Sequence, residues 1–312
     1  MIATYEIFTL HNHMRIAFII NSKSSKAKKA FIVISHRLRH KHDAFFTTAI
    51  GSANEIASMC IHEGHTHLAV LGGDGTLNEV FNAMMNSGKQ ADELPVLCIH
   101  PCGTGNDFAR NFNLNNDIEK FLKRIDNGNI QYSDGGFVQY ANHQGSMEKR
   151  HFLNVMDVGI GGCIAQRVNH YRRGRLAFLS YQRSILRTLP FYLKRQVIVK
   201  TSSIIYSGPA MSVVVANGKW FGNGLGIAPE AQVMDGQLEC VILARVNIWD
   251  YLMNLPAIIR CKPINHAEVH YYKTKEMTIE GENNPLELDG EYVGMSPAQI
   301  RIMPRAVRLL IG

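Results

Sequence analysis

Two glycine-rich segments, each with an aspartate, carry the residues best suited to chemistry. The first is GGDGT at positions 72–76 and the second is GTGND at positions 103–107. Each follows a short apolar run and precedes a helical pattern. Glycine lets a backbone approach a bulky anion closely, and the start of the next helix offers free N–H groups to phosphate. The pair therefore predicts a site for the phosphates of a nucleotide.

Asp74 adds a carboxylate to groups that would bind phosphate. Such a carboxylate would be repelled unless a cation lay between, and Mg²⁺ is the natural choice because it uses few carboxylates and many waters. Neither segment matches the P-loop or the usual dinucleotide fingerprint. The alternative is a pair of tight turns with capping threonines and aspartates, and the recurrence at two strand-to-helix turns favours phosphate binding.

A pair of carboxylates, Asp289 and Glu291, flanks Gly290 in a third segment. In an extended strand the two side chains would point to the same face. A carboxylate there could accept the proton of an incoming hydroxyl during phosphoryl transfer. The alternative is a plain turn, because Asp-Gly is also a common hairpin pair.

The elements that must position these residues alternate between strand and helix in the first part of the chain. The predicted strands are Met14–Ile20, Ala44–Thr48, His67–Leu71 and Pro95–His100, and the predicted helices are Lys26–Arg39, Ser52–Glu63 and Thr76–Met85, with another starting at Asn106. This order predicts an α/β domain with a mainly parallel sheet.

The pattern changes near Asn129, where mostly alternating segments begin. They are Phe152–Met156, Gln196–Ser202, Ala210–Asn217, Gln237–Leu243, Ala267–Tyr272, Glu276–Glu280, Ala298–Ile302 and Val307–Ile311. One helical stretch, Arg175–Arg195, interrupts them. We predict two domains, 1–129 and 130–312, the second mainly antiparallel, and leave open a return of the last strand to the first domain.

Composition and charge narrow the class of partner. The chain has 312 residues, and 33 Lys and Arg against 26 Asp and Glu give a net charge of +7. A basic surface suits a nucleotide, a nucleic acid or acidic lipid headgroups. We expect no nucleic-acid partner, because no motif for one is present. Six scattered cysteines without a CxxC pair favour a reducing, cytoplasmic setting, and neither a secretory signal nor a membrane-spanning apolar run is evident.

One basic segment suggests peripheral and transient association with an anionic membrane surface. From Val158 to Pro229 there is no Asp or Glu, whereas ten Lys or Arg occur there. Basic residues near a bilayer contribute about 1 kcal/mol each against anionic lipid. The Arg175–Arg195 stretch also carries Leu176, Phe178, Leu179, Leu186 and Leu189, and core packing of these residues is the competing interpretation.

Taken together, GGDGTLNEV at 72–80 and PCGTGNDFAR at 101–110 resemble the diacylglycerol kinase catalytic family, which includes sphingosine and ceramide kinases and soluble bacterial lipid kinases. GGDGT alone is shared with NAD kinases, and the second segment favours the lipid kinases. Further likenesses are FLN at 152–154, VANG at 215–218, APEA at 228–231, DGQL at 235–238 and LDGE at 288–291. The resemblance implies an NAD kinase-like α/β domain followed by a β-sandwich-like domain.

The resemblance also implies an activity and site residues. The activity would be ATP- and Mg²⁺-dependent transfer of the γ-phosphoryl group to the hydroxyl of diacylglycerol or a related lipid, by a homodimer. ATP would contact Asn21–Ser25, Thr47, Gly72, Gly73, Asp74, Gly75, Thr76, Leu77, Asn78, Glu79, Gly103, Thr104 and Asn106. Asp74 would help to hold the catalytic Mg²⁺, while Asp107 and Arg110 would stabilise the site. A second, structural Mg²⁺ would bind Asp235 with backbone oxygens of Gln232 and Gln237.

The catalytic residues implied are Glu291, Asp289, Asp74 and Asp107, with a slight preference for Glu291 over Asp289 as the proton acceptor. Two segments depart from the family pattern: Asn21–Ser25 and the step Gly51-Ser52 that follows Thr47. The thirteen residues before Met14 have no recognised counterpart. The alternatives kept are an NAD kinase-like enzyme and a non-catalytic nucleotide- or lipid-binding protein.

Overall fold

The computed structural model describes residues 14–142, 144–168, 177–281 and 283–312. The predicted tail 1–13 and the basic residues Arg172, Arg173 and Arg175 with Leu176 lie outside this range. The chain divides into two compact units. The first comprises residues 14–103, 112–133 and 306–312, and the second comprises 104–111 and 134–305. The predicted division fell between residues 129 and 130. In the structure the first unit also includes 130–133 and 306–312, and the short piece 104–111 belongs to the second unit.

The first unit is an α/β layer structure. Its strands are β1 Arg15–Ile20, β2 Lys41–Phe46, β3 His67–Gly72 and β4 Val96–Pro101, and its helices are α1 Ser25–Arg37, α2 Ser52–His62, α3 Asp74–Asn86 and α5 Ile118–Asn127. The strands are parallel in the order β4-β3-β1-β2, with Ile20 opposite Leu71 on one side and Phe46 on the other. All of the strand β4 is buried, as expected of a parallel sheet covered on both faces.

Local sequence explains where these helices begin and which face they bury. Ser24 caps α1, and its Oγ accepts a hydrogen bond from the backbone N–H of Ala27. Alanines 27 and 30 and Ile34 then recur at helical spacing and pack on Ile16, Phe18 and Leu71 of the sheet. This places the start of α1, like the start of α3, next to the ends of β1 and β3.

The second unit is mainly antiparallel. Its strands are most of β5 Asn129–Ala141, β6 Met147–Phe152, β7 Val155–Gly159, β8 Arg195–Thr201, β9 Ile205–Ala210, β10 Ser212–Ala216, β11 Trp220–Phe221, β12 Leu225–Gly226, β13 Leu238–Leu243, β14 Val269–Thr274, β15 Glu276–Glu280, β16 Pro285–Leu288 and most of β17 Glu291–Ile311. Its helices are α4 Asp107–Arg110, α6 Ile160–Val168, α7 Ala177–Thr188, which a 3₁₀ turn Leu189–Phe191 extends, and α8 Ile248–Ile259.

Two apolar clusters stabilise this unit. One is formed by inward residues of β7, β10, β13, β15 and β17, including Val158, Val213 and Ile279. The other lies on the opposite face of β7, β10 and β13, where Val214 and Val241 pack against α6, α7 and α8. Adjacent residues such as Val213 and Val214 are thus both buried, which explains why these strands are continuous apolar runs.

The fold class is confirmed, with differences in detail. The segments Ala298–Ile302 and Val307–Ile311 are parts of the single strand β17, which continues through Met303–Arg305 although Arg305 has a positive φ of 52°. The helices α5, α6 and α8 were not predicted from the sequence. The apolar character of α8 is spread over much of its circumference. Among the described residues no helix is both long and apolar enough to cross a bilayer.

Candidate functional site

The first glycine-rich segment forms the turn from β3 into α3. Gly73 is the N-cap of α3 and has extended backbone, and Asp74 opens the helix. A Cβ on Gly73 would lie 3.0 Å from the Cα of Gly103, and the N–H groups of Cys102 and Gly103 both donate to the carbonyl oxygen of Gly72. The first segment therefore packs against the start of the second segment within the same unit.

The glycines of this turn have different surroundings. A Cβ on Gly72 would lie 2.8 Å from the Thr76 Cβ, so this position has no room for a side chain. Gly75 is exposed in the first turn of α3, and a Cβ there would meet no atom within 4 Å. The space in front of Gly75 lies at the positive end of the helix dipole, where an anion is stabilised. The residues present thus fit a phosphate group.

Residues that follow β1 and β2, which were predicted to contact ATP, are connected to this turn and to each other by hydrogen bonds. Asn21 Nδ2 donates to Thr76 Oγ1 over 3.0 Å, and the Ser22 N–H donates to Thr47 Oγ1 over 3.3 Å. Ser24 Oγ donates to the carbonyl oxygen of Cys102. The polar loop after β1 is therefore tied to both neighbouring loops.

The later residues of α3 have structural contacts. Glu79 Oε2 accepts from the N–H of Ala53 in the first turn of α2, whose N-cap Gly51 supplies no side-chain bond. Asn78 is buried, and its side-chain oxygen accepts from Asn82 Nδ2. Leu77 is also buried. At the start of α3, Asp74 is partly exposed and Gly75 is exposed. One carboxylate beside a phosphate site fits Mg²⁺, which completes its coordination with waters and phosphates.

The rest of the second glycine-rich segment is described within the β-rich unit. Thr104 is exposed, and Asn106 has a positive φ of 54° as the N-cap of α4. Asp107 is buried, and its Oδ2 accepts from the N–H of Asn223 over 2.8 Å. Its Oδ1 lies 3.4 Å from Nε of Arg110. Asp107 therefore connects α4 to the loop between β11 and β12.

Asp289 and Gly290 do not lie in an extended strand, which corrects the expectation that Asp289 and Glu291 share a face. They are the two central residues of the hairpin between β16 and β17, with φ of 47° and 87°, and Leu288 pairs with Glu291. Positive φ at both central residues is what a type I′ turn requires. The alternative of an Asp-Gly turn is thus the conformation observed.

The Asp289 carboxylate holds the segment between β6 and β7. Its Oδ2 accepts from the N–H of Leu153 over 2.9 Å, and its Oδ1 accepts from the N–H groups of Asn154 and Val155 over 3.0 Å each. Several backbone N–H donors stabilise a carboxylate in its charged form. This geometry gives Asp289 a positioning role in the turn.

Glu291 is in a different environment. Its side chain is half exposed, and its Oε2 lies 2.9 Å from Nη2 of Arg150 on β6. The guanidinium orients the carboxylate while leaving room for another partner. Of the two carboxylates, Glu291 is therefore the one whose surroundings suit a proton acceptor.

Three residues that the sequence analysis assigned no role complete this part of the unit. Asn154 Oδ1 accepts from Asn111 Nδ2 over 3.3 Å, and Asn217 Nδ2 donates to the carbonyl oxygen of Leu153 over 2.6 Å. A Cβ on Gly218 would lie 2.1 Å from Asn154 Oδ1, so only glycine fits there. The FLN and VANG segments contained these residues, but their pattern did not show which backbone groups they bind.

Two buried carboxyl groups were also missed. Asp157 on β7 pairs in register with Glu287 on β16. Burial raises the pKa of Asp157 to about 7. Hydrogen bonds from Ser212 Oγ and the N–H of Gly161 act in the opposite direction and only partly offset this rise in pKa. Burial and the nearby Asp157 and Asp289 raise the pKa of Glu287 well above its usual value. Two neighbouring acids of raised pKa are expected where a functional site excludes water.

A lysine of β14 lies against the Asp235 turn, where the second Mg²⁺ was predicted. Asp235 Oδ2 lies 2.7 Å from Nζ of Lys273, and Oδ1 accepts from the N–H of Gln237. The carbonyl oxygen of Gln232 accepts from the N–H of Asp235. These residues do not fit an ion while Lys273 holds the carboxylate, and in the described part of the chain no three His, Cys, Asp or Glu form a metal cluster. A second Mg²⁺ stays a prediction that requires Lys273 to move.

An apolar pocket lies inside the β-rich unit. Its cavity volume is about 90 Å³, smaller than the about 300–1,000 Å³ of typical small-molecule sites. Its apolar lining includes Ile160, Ile164, Ile185, Leu189, Met211, Leu225 and Ile258. Asp157 and Ser212 also line it. The pocket thus combines an apolar wall with the carboxyl group of Asp157 and the hydroxyl group of Ser212.

The comparisons with known proteins agree with this description. The model of the diacylglycerol kinase catalytic domain matches residues 15–138, and that of the YegS C-terminal NAD kinase beta sandwich-like domain matches residues 154–311. The diacylglycerol kinase of Bacillus subtilis (strain 168) is 26% identical over 267 residues, 85% of this chain and 84% of that protein. The diacylglycerol kinase of Staphylococcus carnosus (strain TM300) is 28% identical over 262 residues, 82% and 79% of the two chains.

Solved structures show the same fold. Two crystal structures from Bacillus anthracis str. Sterne align with TM-scores of 0.76 and 0.68 at 21% and 19% identity, covering 96% of this chain and 97% of the other, and the second is of a diacylglycerol kinase. Yeast NADH kinase complexed with NADH aligns with a TM-score of 0.53 at 9% identity, covering 96% and 84%.

Proposed function

Because the chain belongs to the diacylglycerol kinase catalytic family, a family of lipid kinases, we propose that it uses ATP and Mg²⁺ to phosphorylate the hydroxyl of diacylglycerol or a related lipid. The observation that carries the choice of acceptor is the apolar pocket of the β-rich unit. Its wall of Ile, Leu, Met and Val matches the apolar surface of an acyl chain, whereas the polar rings and charges of NAD would lose their hydration there. Because the cavity volume is about 90 Å³, side chains of the wall would have to move to admit the chain. The product would be a phosphatidic-acid-type lipid.

The chain's own residues suit the donor side of this reaction. The N-terminus of α3, with Gly73, Gly75 and Thr76, would bind ATP phosphates, and Asp74 would hold the catalytic Mg²⁺. The ion would neutralise the charge that develops on the transferred group. Asn21 and Thr47 would keep the neighbouring loop in place through their hydrogen bonds.

Glu291 would act as the base. As the acceptor oxygen bonds to the γ-phosphorus, its proton passes to the Glu291 carboxylate, and the bond from phosphorus to the bridging oxygen breaks, releasing ADP. Arg150 would orient the carboxylate, and Asp289 would shape the turn that presents it. Asp107 would act as a positioning residue through Asn223.

A kinase assay with labelled ATP tests this proposal. The acceptors are diacylglycerol, phosphatidylglycerol, ceramide, sphingosine and NAD, each with and without Mg²⁺. We expect a phosphorylated lipid only with Mg²⁺, and no label on NAD. Label on NAD alone would establish the NAD kinase alternative, and label on none of the acceptors would favour a non-catalytic binding protein. A homodimer also stays a prediction, which sedimentation velocity checks.

A further inference from the structure

The helix α8 exposes an apolar stripe. The stripe consists of Trp249, Leu252, Met253, Pro256 and Ile259, which are all exposed. Their spacing follows the helical period, so they share one side of the helix. Trp249 is 72% and Met253 81% exposed. An exposed helix face is normally polar, so this stripe requires an explanation.

The opposite side of α8 fixes the helix in the fold. Tyr251, Asn254 and Ile258 line the apolar pocket, and Leu255 packs on the same core cluster. The N-terminus is held by a capping box between Asn247 and Asp250. The helix is therefore a rigid wall of the pocket whose outer surface is the stripe.

The exposed charged side chains that flank the helix in sequence are basic, although the partly buried Glu268 accepts from the N–H of Arg245. Arg245 precedes the helix and Arg260 and Lys262 follow it, all exposed. The only charged residue within the helix is Asp250, whose carboxylate accepts the N–H of Asn247 and lies 3.4 Å from Nε2 of His266. An apolar face between exposed cations complements an anionic lipid surface.

A second wall of the pocket repeats this combination. Ile185 and Leu189, at the end of α7, line the pocket from another side. The same segment exposes Leu186, Phe191 and Leu193, with Arg183, Arg187 and Lys194 interspersed. Two elements that border one pocket thus expose large apolar side chains among basic ones.

We propose that the outer stripe of α8 inserts into the interface of an anionic membrane, with Trp249 and Met253 as the main anchors. The apolar side chains enter the boundary between headgroups and acyl chains, while Arg245, Arg260 and Lys262 bind lipid phosphates. The docked helix keeps its inner face on the pocket, so an acyl chain leaving the bilayer has a short path to it. Only this last consequence rests on the proposed function.

Vesicle sedimentation of the full chain tests the docking surface. The variant Trp249→Gln/Met253→Gln is compared with Ile205→Gln, a control that removes another exposed apolar side chain of the same unit. The vesicles are phosphatidylcholine with or without phosphatidylglycerol. We expect the double variant to lose binding at least about tenfold, because two large apolar side chains stay in water. The control should bind as the unmodified protein does, and binding to acidic vesicles should weaken with salt.

Two outcomes would overturn the docking proposal. One is sedimentation of the double variant equal to that of the unmodified protein at unchanged thermal stability. The other is a dimer in analytical ultracentrifugation that the double variant dissociates, since a second copy would then cover the stripe. Activity is measured separately with a short-chain diacylglycerol dissolved as monomers, which the double variant should phosphorylate at the normal rate. Lack of activity in the unmodified protein would refute the proposed function and leave the sedimentation result unaffected.

Discussion

Replacing Asp289 and Glu291 one at a time should separate architecture from chemistry. In Asp289→Asn, the remaining oxygen can still accept from Asn154 and Val155, whereas the new NH₂ group faces the N–H of Leu153. One hydrogen bond to a charged group is lost, and such bonds contribute about 1.5–3 kcal/mol. At about 2–4 °C per kcal/mol, the value for domains of roughly 150–250 residues, we expect the melting temperature to fall by about 3–12 °C.

Glu291→Gln should have the opposite profile. Its ion pair with Arg150 is half exposed, and such pairs contribute about 0–1 kcal/mol, so stability should barely change. A general base contributes typically about 10²–10⁴-fold to rate, so kcat should fall by that factor while KM for ATP stays constant. The two substitutions are nearly isosteric, which makes each the control for the other.

The assays are differential scanning fluorimetry without ligand and initial rates of lipid phosphorylation at saturating ATP. We expect Asp289→Asn to be unstable with residual activity that cooling partly restores, and Glu291→Gln to be stable and inactive. A stable, inactive Asp289→Asn together with an active Glu291→Gln would refute the reasoning, because it would make Asp289 the base.

Two further predictions concern the glycine turn and the buried acids. Gly72→Ala should lower the free energy of unfolding by about 1–3 kcal/mol, because the new methyl group overlaps Thr76. Gly75→Ala should melt no lower than the unmodified protein but should bind ATP more weakly, which calorimetry can measure. Equal effects of the two substitutions would contradict the assignment of Gly75 to the phosphate site. Asp157 has a raised pKa of about 7, so the folded state keeps this proton at pH values where the unfolded state has lost it. The free energy of unfolding should therefore fall by up to about 4 kcal/mol as the pH rises from about 4 to about 7. Asp157→Asn should reduce this slope in melting curves taken across that range, with Glu287 leaving a remainder, and an unchanged slope would contradict it.

The α/β unit was predictable because its signals are local. The strands β1, β3 and β4 are short apolar runs, and α1 has both a cap, Ser24, and a buried face, Ala27, Ala30 and Ile34. The strand β2, with Lys41, His42 and Asp43, and the unpredicted helix α5 are the exceptions. The boundaries shifted by a few residues, as between Ala44–Thr48 and β2 Lys41–Phe46. Propensity alone does not fix where pairing begins, since strand ends depend on the neighbouring strand.

The β-rich unit was less predictable because its decisive contacts are distant in sequence. Asp289 binds backbone groups about 135 residues away, and Asp157 pairs with Glu287 across two strands. No periodicity reveals such partners. The helix α8 was missed for a related reason: its apolar residues serve two surfaces, the pocket wall and the exposed stripe, so no single amphipathic pattern stands out.

The three residues of the DGE segment acquire distinct functions from one conformation. A type I′ turn needs positive φ at two successive positions, which glycine tolerates and aspartate adopts at modest cost. That turn directs the Asp289 carboxylate back onto the N–H groups of 153–155, where it offsets the cost by satisfying three donors. Glu291, the first residue of β17, is then held next to Arg150 on β6. The aspartate therefore builds the turn, the glycine permits it, and the half-exposed glutamate beside Arg150 is the residue to which we assign proton transfer in the proposed reaction.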